Sequence, residues 1–201
     1  KIHFKPLVIS DTLAITPTWE HFEPKPGQVL IKLDPGMSFG TGQHATTKSC
    51  LASIDRFISE LRGKGQKEIA MLDAGSGSGI LAIAARKLGC TRVDAFDIDP
   101  DTVGVARENA QKNGIADQEL SIAAASLMEY ESDTRYDIVA ANILSSALLA
   151  GKEKLLSFCK PGTRLILAGI LDAEYFKVKE AFEATGHCTE LYNVLEKEWR
   201  G

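Results

Sequence analysis

Glycine at regular spacing follows an acidic residue in the first half of the chain. Asp73 is succeeded by Gly75, Gly77 and Gly79, with an apolar run before the acid and an apolar-periodic segment after the last glycine. This pattern predicts a buried strand that turns tightly into a helix. Because glycine has no β-carbon, the turn can adopt positive φ and approach a ligand closely, beside the free N–H groups of the helix start. The stretch therefore predicts a site for a nucleotide-like ligand.

Two cofactor classes use a glycine-rich turn of this kind. A dinucleotide fold has the spacing Gly-x-Gly-x-x-Gly, whose third glycine allows close helix packing. Here the third position holds Ile80, which argues against a nicotinamide oxidoreductase. The observed spacing, Asp-x-Gly-x-Gly-x-Gly, is typical of S-adenosylmethionine sites. That cofactor has no phosphate, so Gly75 and Gly77 need only let the backbone pass close to its amino-acid end.

A second acidic residue ends the next predicted strand. The carboxylate of Asp97 can accept hydrogen bonds from both hydroxyls of a ribose, and Ile98 beside it can cover an adenine ring. Asp99 precedes Pro100, as an N-cap residue precedes the first helical position. Both acids can also be interpreted as helix caps. The glycine turn favours a ligand role for Asp97, whereas position favours capping for Asp99.

Asn142 follows a later predicted strand, at the edge of the sheet where open α/β folds bind ligands. Its side-chain carbonyl can accept an N–H from an attacking amine, and nearby backbone carbonyls can accept another. A helix cap is the alternative, and position alone does not separate the two.

The elements that must position these residues alternate along the chain. Predicted strands cover residues 69–73, 92–97, 120–124, 136–141, 163–168 and 187–195. Predicted helices cover residues 45–61, 80–88, 100–113, 146–158 and 173–185, with Val103, Val105, Ala106 and Ala110 facing inward and a turn at Pro161-Gly162. Such alternation predicts an α/β fold: a mostly parallel sheet with right-handed crossovers and helices on both faces. A short extended segment, with strands at 13–16 and 29–33, precedes it.

Composition limits the remaining possibilities. The chain has 201 residues, a formal net charge of −4 and four scattered cysteines, which predicts one domain with no general affinity for nucleic acid. No apolar run is long enough to span a bilayer, and no secretory signal is evident. The cysteine spacing favours free thiols in a reducing cytoplasm over a disulfide framework or a metal site. The absence of an initial Met suggests a fragment or a processed chain.

Six blocks in the same order carry a resemblance to a known family. They are Asp34-Pro-Gly-Met-Ser-Phe-Gly-Thr-Gly-Gln-His-Ala-Thr-Thr47, Gly75-Ser-Gly-Ser-Gly-Ile-Leu-Ala-Ile-Ala-Ala85, Asp97-Ile-Asp-Pro100, Ala141-Asn-Ile-Leu144, Ala168-Gly-Ile-Leu171 and Glu196-Lys-Glu-Trp199. Together they resemble the bacterial ribosomal protein methyltransferase family, PrmA. The family is similar in fold to class I (Rossmann-like) S-adenosylmethionine-dependent methyltransferases and modifies amino groups of the stalk-base protein of the large ribosomal subunit.

The resemblance implies roles for particular residues. Cofactor contacts are expected from Thr47, Gly75, Asp97 and Asn142, and Asn142 becomes the expected catalytic residue. The loop that carries Phe39, Gly40, Thr41 and His44 is expected to close over the methionine part of the cofactor. His44 can be interpreted as a general base or, preferably, as a turn or cap contact, because methyl transfer to a neutral amine depends mainly on positioning and desolvation.

Departures from the family's sequence pattern affect the expected binding of the substrate more than the expected binding of the cofactor. Ala45 stands where the family usually has proline, and Ser76 stands where cysteine is common. Both residues have small side chains. The family carries a separate N-terminal substrate-binding domain, which we expect to be absent here, and its last antiparallel strand should begin at Trp199. Residues 1–44 are therefore predicted to form lead-in strands and a cofactor-covering loop, and residues 45–201 the catalytic domain.

The predicted function is a cytoplasmic methyltransferase that acts on lysine ε-amino or N-terminal α-amino groups of a large-subunit ribosomal protein, with no nucleic acid or membrane partner. Two alternatives remain: a non-catalytic S-adenosylmethionine-binding module, and a methyltransferase of a small-molecule amine.

Overall fold

The computed structural model of the chain describes residues 5–34 and 45–201. In chain order the strands are β1 (Leu7–Val8), β2 (Leu13–Thr16), β3 (Val29–Lys32), β4 (Ala70–Ala74), β5 (Arg92–Asp97), β6 (Ser121–Ala124), β7 (Tyr136–Asn142), β8 (Cys159–Ala168), β9 (Ile170–Leu171), β10 (Leu195–Glu196) and β11 (Trp199–Arg200). The helices are α1 (Ala45–Gly63), α2 (Ile80–Lys87), α3 (Pro100–Lys112), α4 (Ser145–Ala150), α5 (Lys152–Ser157) and α6 (Tyr175–Glu183), the last preceded by a 3-10 turn at Asp172–Glu174.

The central sheet has the strand order β6-β5-β4-β7-β8, and every neighbouring pair is parallel. Successive side chains of a strand point to opposite faces, so Met71 and Leu72 of β4 enter two different apolar clusters. The first cluster contains residues of α1, α2 and α3, and the second contains residues of α4, α5 and α6. Helices therefore cover both faces, which confirms the predicted α/β fold.

The N-terminal segment forms a small sheet against α1. Strand β2 pairs with β1 antiparallel and with β3 parallel, which confirms the two predicted strands. Leu13 and Ile31 are fully buried in the same cluster as Leu51 of α1. The Asp55 carboxylate of α1 also accepts hydrogen bonds from the Ser10 and Thr12 hydroxyls, both at 2.5 Å. The division of the chain at residue 44 stays a prediction, because residues 35–44 lie outside the described ranges.

Four local predictions are wrong, and the first three concern elements that do form. The helix predicted over residues 146–158 is two helices, separated by Gly151, because glycine is unfavourable in a helix interior. Val105 is exposed, because the inward face of α3 is formed by Val103, Ala106 and Ala110. The predicted turn at Pro161-Gly162 is an irregularity within β8, where Tyr136 pairs with Cys159 but Ile138 pairs with Arg164.

The sixth strand predicted at residues 187–195 is also wrong, since only β10 is a strand there. Tyr192 packs against the first cluster and Cys188 against the second, but Leu191 and Leu195 are exposed. The segment is held by side-chain contacts instead, from Glu190 to Tyr175 and Lys179. A cleft of about 470 Å³ separates it from β8. After it, β11 pairs antiparallel with both β10 and β9 in a small separate sheet.

Replacing the buried carboxylate that holds the N-terminal sheet should destabilise the fold. We expect Asp55→Ala to lower the free energy of unfolding by about 2 kcal/mol, because the hydroxyls of Ser10 and Thr12 lose a charged acceptor. Urea denaturation measures the change. Asp11→Ala is the matched control: Asp11 lies between the same two hydroxyl residues but makes only an exposed ion pair with Lys25, which contributes little. Equal effects of the two substitutions would contradict the assignment.

Candidate functional site

The glycine turn after β4 is fixed to the neighbouring strand. The backbone N–H groups of Gly75 and Ser76 both donate to the Phe96 carbonyl at 2.9 Å. The three glycines of the turn have φ angles of 78°, 52° and 79°, which confirms the predicted positive φ. A β-carbon on Gly75 would lie 2.4 Å from Cγ2 of Ile143. Both the conformation and the close contact therefore require glycine at this position.

Asp97 connects the turn to the end of β5. One carboxylate oxygen accepts the Gly77 N–H at 2.8 Å, and the other accepts the Asp99 N–H at 3.1 Å. A carboxylate has about four acceptor sites, so these two bonds leave capacity for hydroxyl donors of a ligand. Asp99 is the N-cap of α3, since its carboxylate accepts from the Asp101 N–H and the Thr102 hydroxyl. The capping prediction for Asp99 is thus confirmed.

Asn142 meets the start of α1 across the same edge of the sheet. Its Nδ2 donates to the Thr47 hydroxyl at 3.4 Å, although the two residues lie far apart in the sequence. Its Oδ1 is buried and has no hydrogen-bond partner among the described residues. An unpartnered buried carbonyl costs free energy, so this oxygen is a strong candidate for contact with a ligand.

Most of the residues described above line one small pocket. Its described lining residues are Thr47, Gly75, Ser76, Gly77, Ile80, Leu81 and Asn142. The structure therefore brings together four of the predicted site residues, and Asp97 joins them through its bond to Gly77. Ile98 is adjacent and its side chain is 73% exposed, which leaves one apolar face open for a ring. Their contacts with a cofactor stay predictions. Phe39, Gly40, Thr41 and His44 lie outside the described residues.

Asp73 lies beneath this pocket rather than in it. Its side chain is fully buried, one oxygen accepts the Ala82 N–H at 3.1 Å, and the other has no partner among the described residues. The pKa of Asp73 is raised to about 7, chiefly by burial; the Ala82 hydrogen bond lowers it and the nearby charge of Asp97 raises it by smaller amounts. Burial also raises the pKa of the Cys50 thiol, with a smaller contribution from Asp73.

Two neighbours of the site were not singled out from the sequence. Ile143 packs closely against Gly75. Gly169, in the turn after β8, has a φ of +80° and faces the Ile143 carbonyl. In the sequence, both residues stand in blocks that carry the family resemblance, and Gly169 directly follows a predicted strand.

Neither a metal centre nor a membrane segment is found in the described ranges. Within residues 5–34 and 45–201, no group of three or more His, Cys, Asp or Glu side chains is arranged to hold a metal ion. In the same ranges no helix is both long and apolar enough to cross a membrane.

Comparison with known proteins identifies the family. The model of the ribosomal protein L11 methyltransferase (PrmA) family matches residues 1–200. The chain belongs to this family. Relatives named ribosomal protein L11 methyltransferase from Citrifermentans bemidjiense and Geobacter metallireducens are 42% and 43% identical over 99% and 98% of the chain. These matches span 63% and 61% of the two relatives, so the chain covers about three fifths of their length.

Solved structures agree with the family and the fold. A ribosomal protein L11 methylase from Lactobacillus delbrueckii subsp. bulgaricus superposes with a TM-score of 0.84 and 33% identity, over 98% of this chain and 96% of that one. A precorrin-6y C5,15-methyltransferase from Geobacter metallireducens, with a TM-score of 0.58 and 22% identity over 70% of this chain and 74% of that one, shares the fold alone. The predicted PrmA resemblance and class I methyltransferase fold are confirmed, and S-adenosylmethionine is the cofactor that they imply.

The buried carboxyl of Asp73 predicts a specific pH dependence of stability. It binds a proton near pH 7 in the folded chain but near pH 4 when unfolded. Between these values the folded state holds more protons, so its contribution to the free energy of unfolding falls as pH rises. We expect Asp73→Asn to remove this fall, so that the variant gains stability relative to the parent between about pH 4 and pH 7.

Urea denaturation at several pH values measures this difference. The exposed Asp133→Asn serves as the control, because an exposed carboxyl changes little in environment on folding. A difference between Asp73→Asn and the parent that stays constant with pH would contradict the assignment.

Proposed function

We propose that this chain binds S-adenosylmethionine at the ends of β4, β5 and β7 and catalyses methyl transfer to an amino nitrogen of ribosomal protein L11. The observation that carries the proposal is the buried, unpartnered Oδ1 of Asn142, placed beside the glycine turn in one pocket. Family membership supports both the reaction and the substrate.

The residues present fit the cofactor. The backbone at Gly75 and Gly77 carries no side chain, so it can lie against the amino-acid end of the cofactor. Asp97 retains acceptor sites for the two ribose hydroxyls, and Thr47 and Asn142 close the pocket from the side of α1. When bound, the cofactor supplies a methyl group activated by a positively charged sulfur.

Asn142 acts on the nitrogen that receives the methyl group. Its Oδ1 accepts an N–H of the amine and so orients the nitrogen lone pair toward the methyl carbon. A lysine or N-terminal amine must be neutral to react, and burial of its head in this pocket lowers its pKa toward that state. Positioning and desolvation supply most of the rate enhancement, and the proton is lost from the amine to solvent.

The partner assignment rests on the relatives rather than on the pocket. Their names specify ribosomal protein L11, and the net charge of −4 suits a basic partner in the cytoplasm. We propose lysine ε-amino groups, the N-terminal α-amino group, or both, as acceptors. A non-catalytic cofactor-binding module and a methyltransferase of small amines are the alternatives that the experiment must separate.

The decisive experiment combines deuterated-methyl cofactor, L11 and mass spectrometry. We expect labelled methyl groups on L11 amines with the longest natural form of the protein, and weak turnover but measurable cofactor binding with residues 1–201 alone. Cofactor binding without transfer to L11 would support the non-catalytic alternative, and transfer to free amines but not to L11 would support the small-molecule alternative. If calorimetry detects no binding of the cofactor or of S-adenosylhomocysteine, the proposal is wrong.

Asp97 and its neighbour Asp99 offer a matched pair for testing the ribose contact. We expect Asp97→Asn to weaken S-adenosylhomocysteine binding by about tenfold or more, because an amide cannot accept from both hydroxyls as a carboxylate can. Asp99→Asn should keep its helix cap, since Asn and Asp cap equally well, and should leave the affinity unchanged. Calorimetry measures both, and equal losses would exclude the ribose role.

Removing the side chain of Asn142 tests the acceptor role. We expect Asn142→Ala to lower kcat for methyl transfer to L11 by about 100-fold, as for loss of one preorganised polar contact to the reacting group. The exposed Asn193→Ala is the control. Steady-state transfer of labelled methyl measures both variants, and an unchanged kcat in Asn142→Ala would rule out this role.

A further inference from the structure

One hydroxyl of the small pocket has no hydrogen-bond partner within the described protein. Ser76 is only 6% exposed, and its Oγ is buried without a partner among the described residues. The same residue lines the pocket together with Asn142. A buried polar group without a partner costs free energy. A hydroxyl kept in this position therefore points to a ligand group that completes its hydrogen bonding.

The backbone of the glycine turn has few donors left for that ligand. The N–H groups of Gly75 and Ser76 both donate to the same carbonyl of β5 at 2.9 Å, and the Gly77 N–H donates to Asp97. The Gly79 N–H donates to the Ser76 carbonyl at 2.8 Å. These four N–H groups serve the fold of the turn itself. The Ser76 hydroxyl is thus a donor of the turn that lines the pocket and is not used within the described protein.

The start of α2 makes a negatively charged ligand group favourable beside Ser76. Ile80 and Leu81, the first two residues of this helix, both line the pocket. The first turn of α2 contains no acidic residue, and its N-cap, Gly79, makes no side-chain hydrogen bond. Asp73 accepts from this helix beneath the pocket, but its raised pKa reduces the negative charge there. The positive end of the helix dipole therefore favours an anion in the pocket.

We propose that Ser76 is a specificity-determining residue whose hydroxyl donates a hydrogen bond to the carboxylate of the amino-acid end of S-adenosylmethionine. This inference rests on the proposed function, and it deepens that function by assigning one side chain to one group of the cofactor. A carboxylate can only accept hydrogen bonds, and it supplies the acceptor that Ser76 lacks. Ligands without the carboxylate leave this hydroxyl unpaired.

Calorimetry with three nucleosides tests the assignment. S-adenosylhomocysteine carries both the carboxylate and the ammonium group, its decarboxylated analogue carries only the ammonium group, and methylthioadenosine carries neither. We expect Ser76→Ala to weaken binding of S-adenosylhomocysteine by about tenfold, as for loss of a hydrogen bond to a charged group, and to change the other two affinities by less than about twofold. Equal losses for S-adenosylhomocysteine and its decarboxylated analogue would overturn the carboxylate assignment.

The melting temperature of the ligand-free protein separates a ligand role from a structural one. Because the Ser76 hydroxyl has no partner in the described protein, its removal should leave the melting temperature unchanged or raise it. A lower melting temperature, or failure of Ser76→Ala to fold, would contradict the inference. Ser145→Ala is the matched control. Ser145 is 3% exposed and its Oγ is also unpartnered, but it is not among the described lining residues, so all three affinities should stay unchanged.

A second substitution separates the hydroxyl from its size. Ser76→Cys keeps a side chain of similar shape but offers a much weaker donor, so its affinity for S-adenosylhomocysteine should also fall. An affinity equal to that of the parent would show that packing, not the hydroxyl, matters, and the inference would be wrong.

The outcomes also separate this inference from the proposed function. If the parent protein binds none of the three nucleosides, the proposed function is wrong and this inference fails with it. If the parent binds S-adenosylhomocysteine and Ser76→Ala binds it equally well, the Ser76 assignment alone is wrong.

Discussion

The candidate site depends on one constraint, the reversal of strand order between β4 and β7. From β4 the chain adds β5 and β6 on one side and then β7 and β8 on the other. The loops that leave β4 and β7 must therefore turn away from each other, and open α/β sheets bind ligands in the crevice that results. The glycine turn and Asn142 meet at this crevice because they follow the two strands that flank the reversal.

Rigidity of the surrounding core allows this edge to retain unpaired polar groups. Within the described residues, an oxygen of Asp73 and one of Asn142 are buried without hydrogen-bond partners, and each such group costs about 1–3 kcal/mol. The sheet between them is buried on both faces, which offsets the cost. The two oxygens have different roles. Asp73 accepts from the start of α2 beneath the turn, whereas Asn142 lines the pocket itself.

Local sequence signals predicted the strand ends well and the tertiary contacts poorly. Asp99 and Pro100 predicted a helix start that the structure confirms, because capping is decided within a few residues. Within residues 187–195 the side chains of Leu191, Val194 and Leu195 are exposed, and no strand forms along most of this stretch. The close packing of Ile143 between Gly75 and Gly169 brings together three turns that are distant in the chain. No spacing within one segment could predict it.

The described lining of the pocket also constrains the chemistry of transfer. It consists of glycine, apolar, hydroxyl and amide side chains, and none of them is ionisable near neutral pH. Asp73, the buried carboxyl closest beneath the turn, has both oxygens enclosed by protein and cannot reach a substrate. The described lining residues therefore offer no base that could take a proton from an incoming amine. With respect to these residues, an amine bound as proposed must arrive neutral or lose its proton elsewhere. For methyl transfer as proposed, the described lining residues then add no titration of their own to the pH dependence of the reaction.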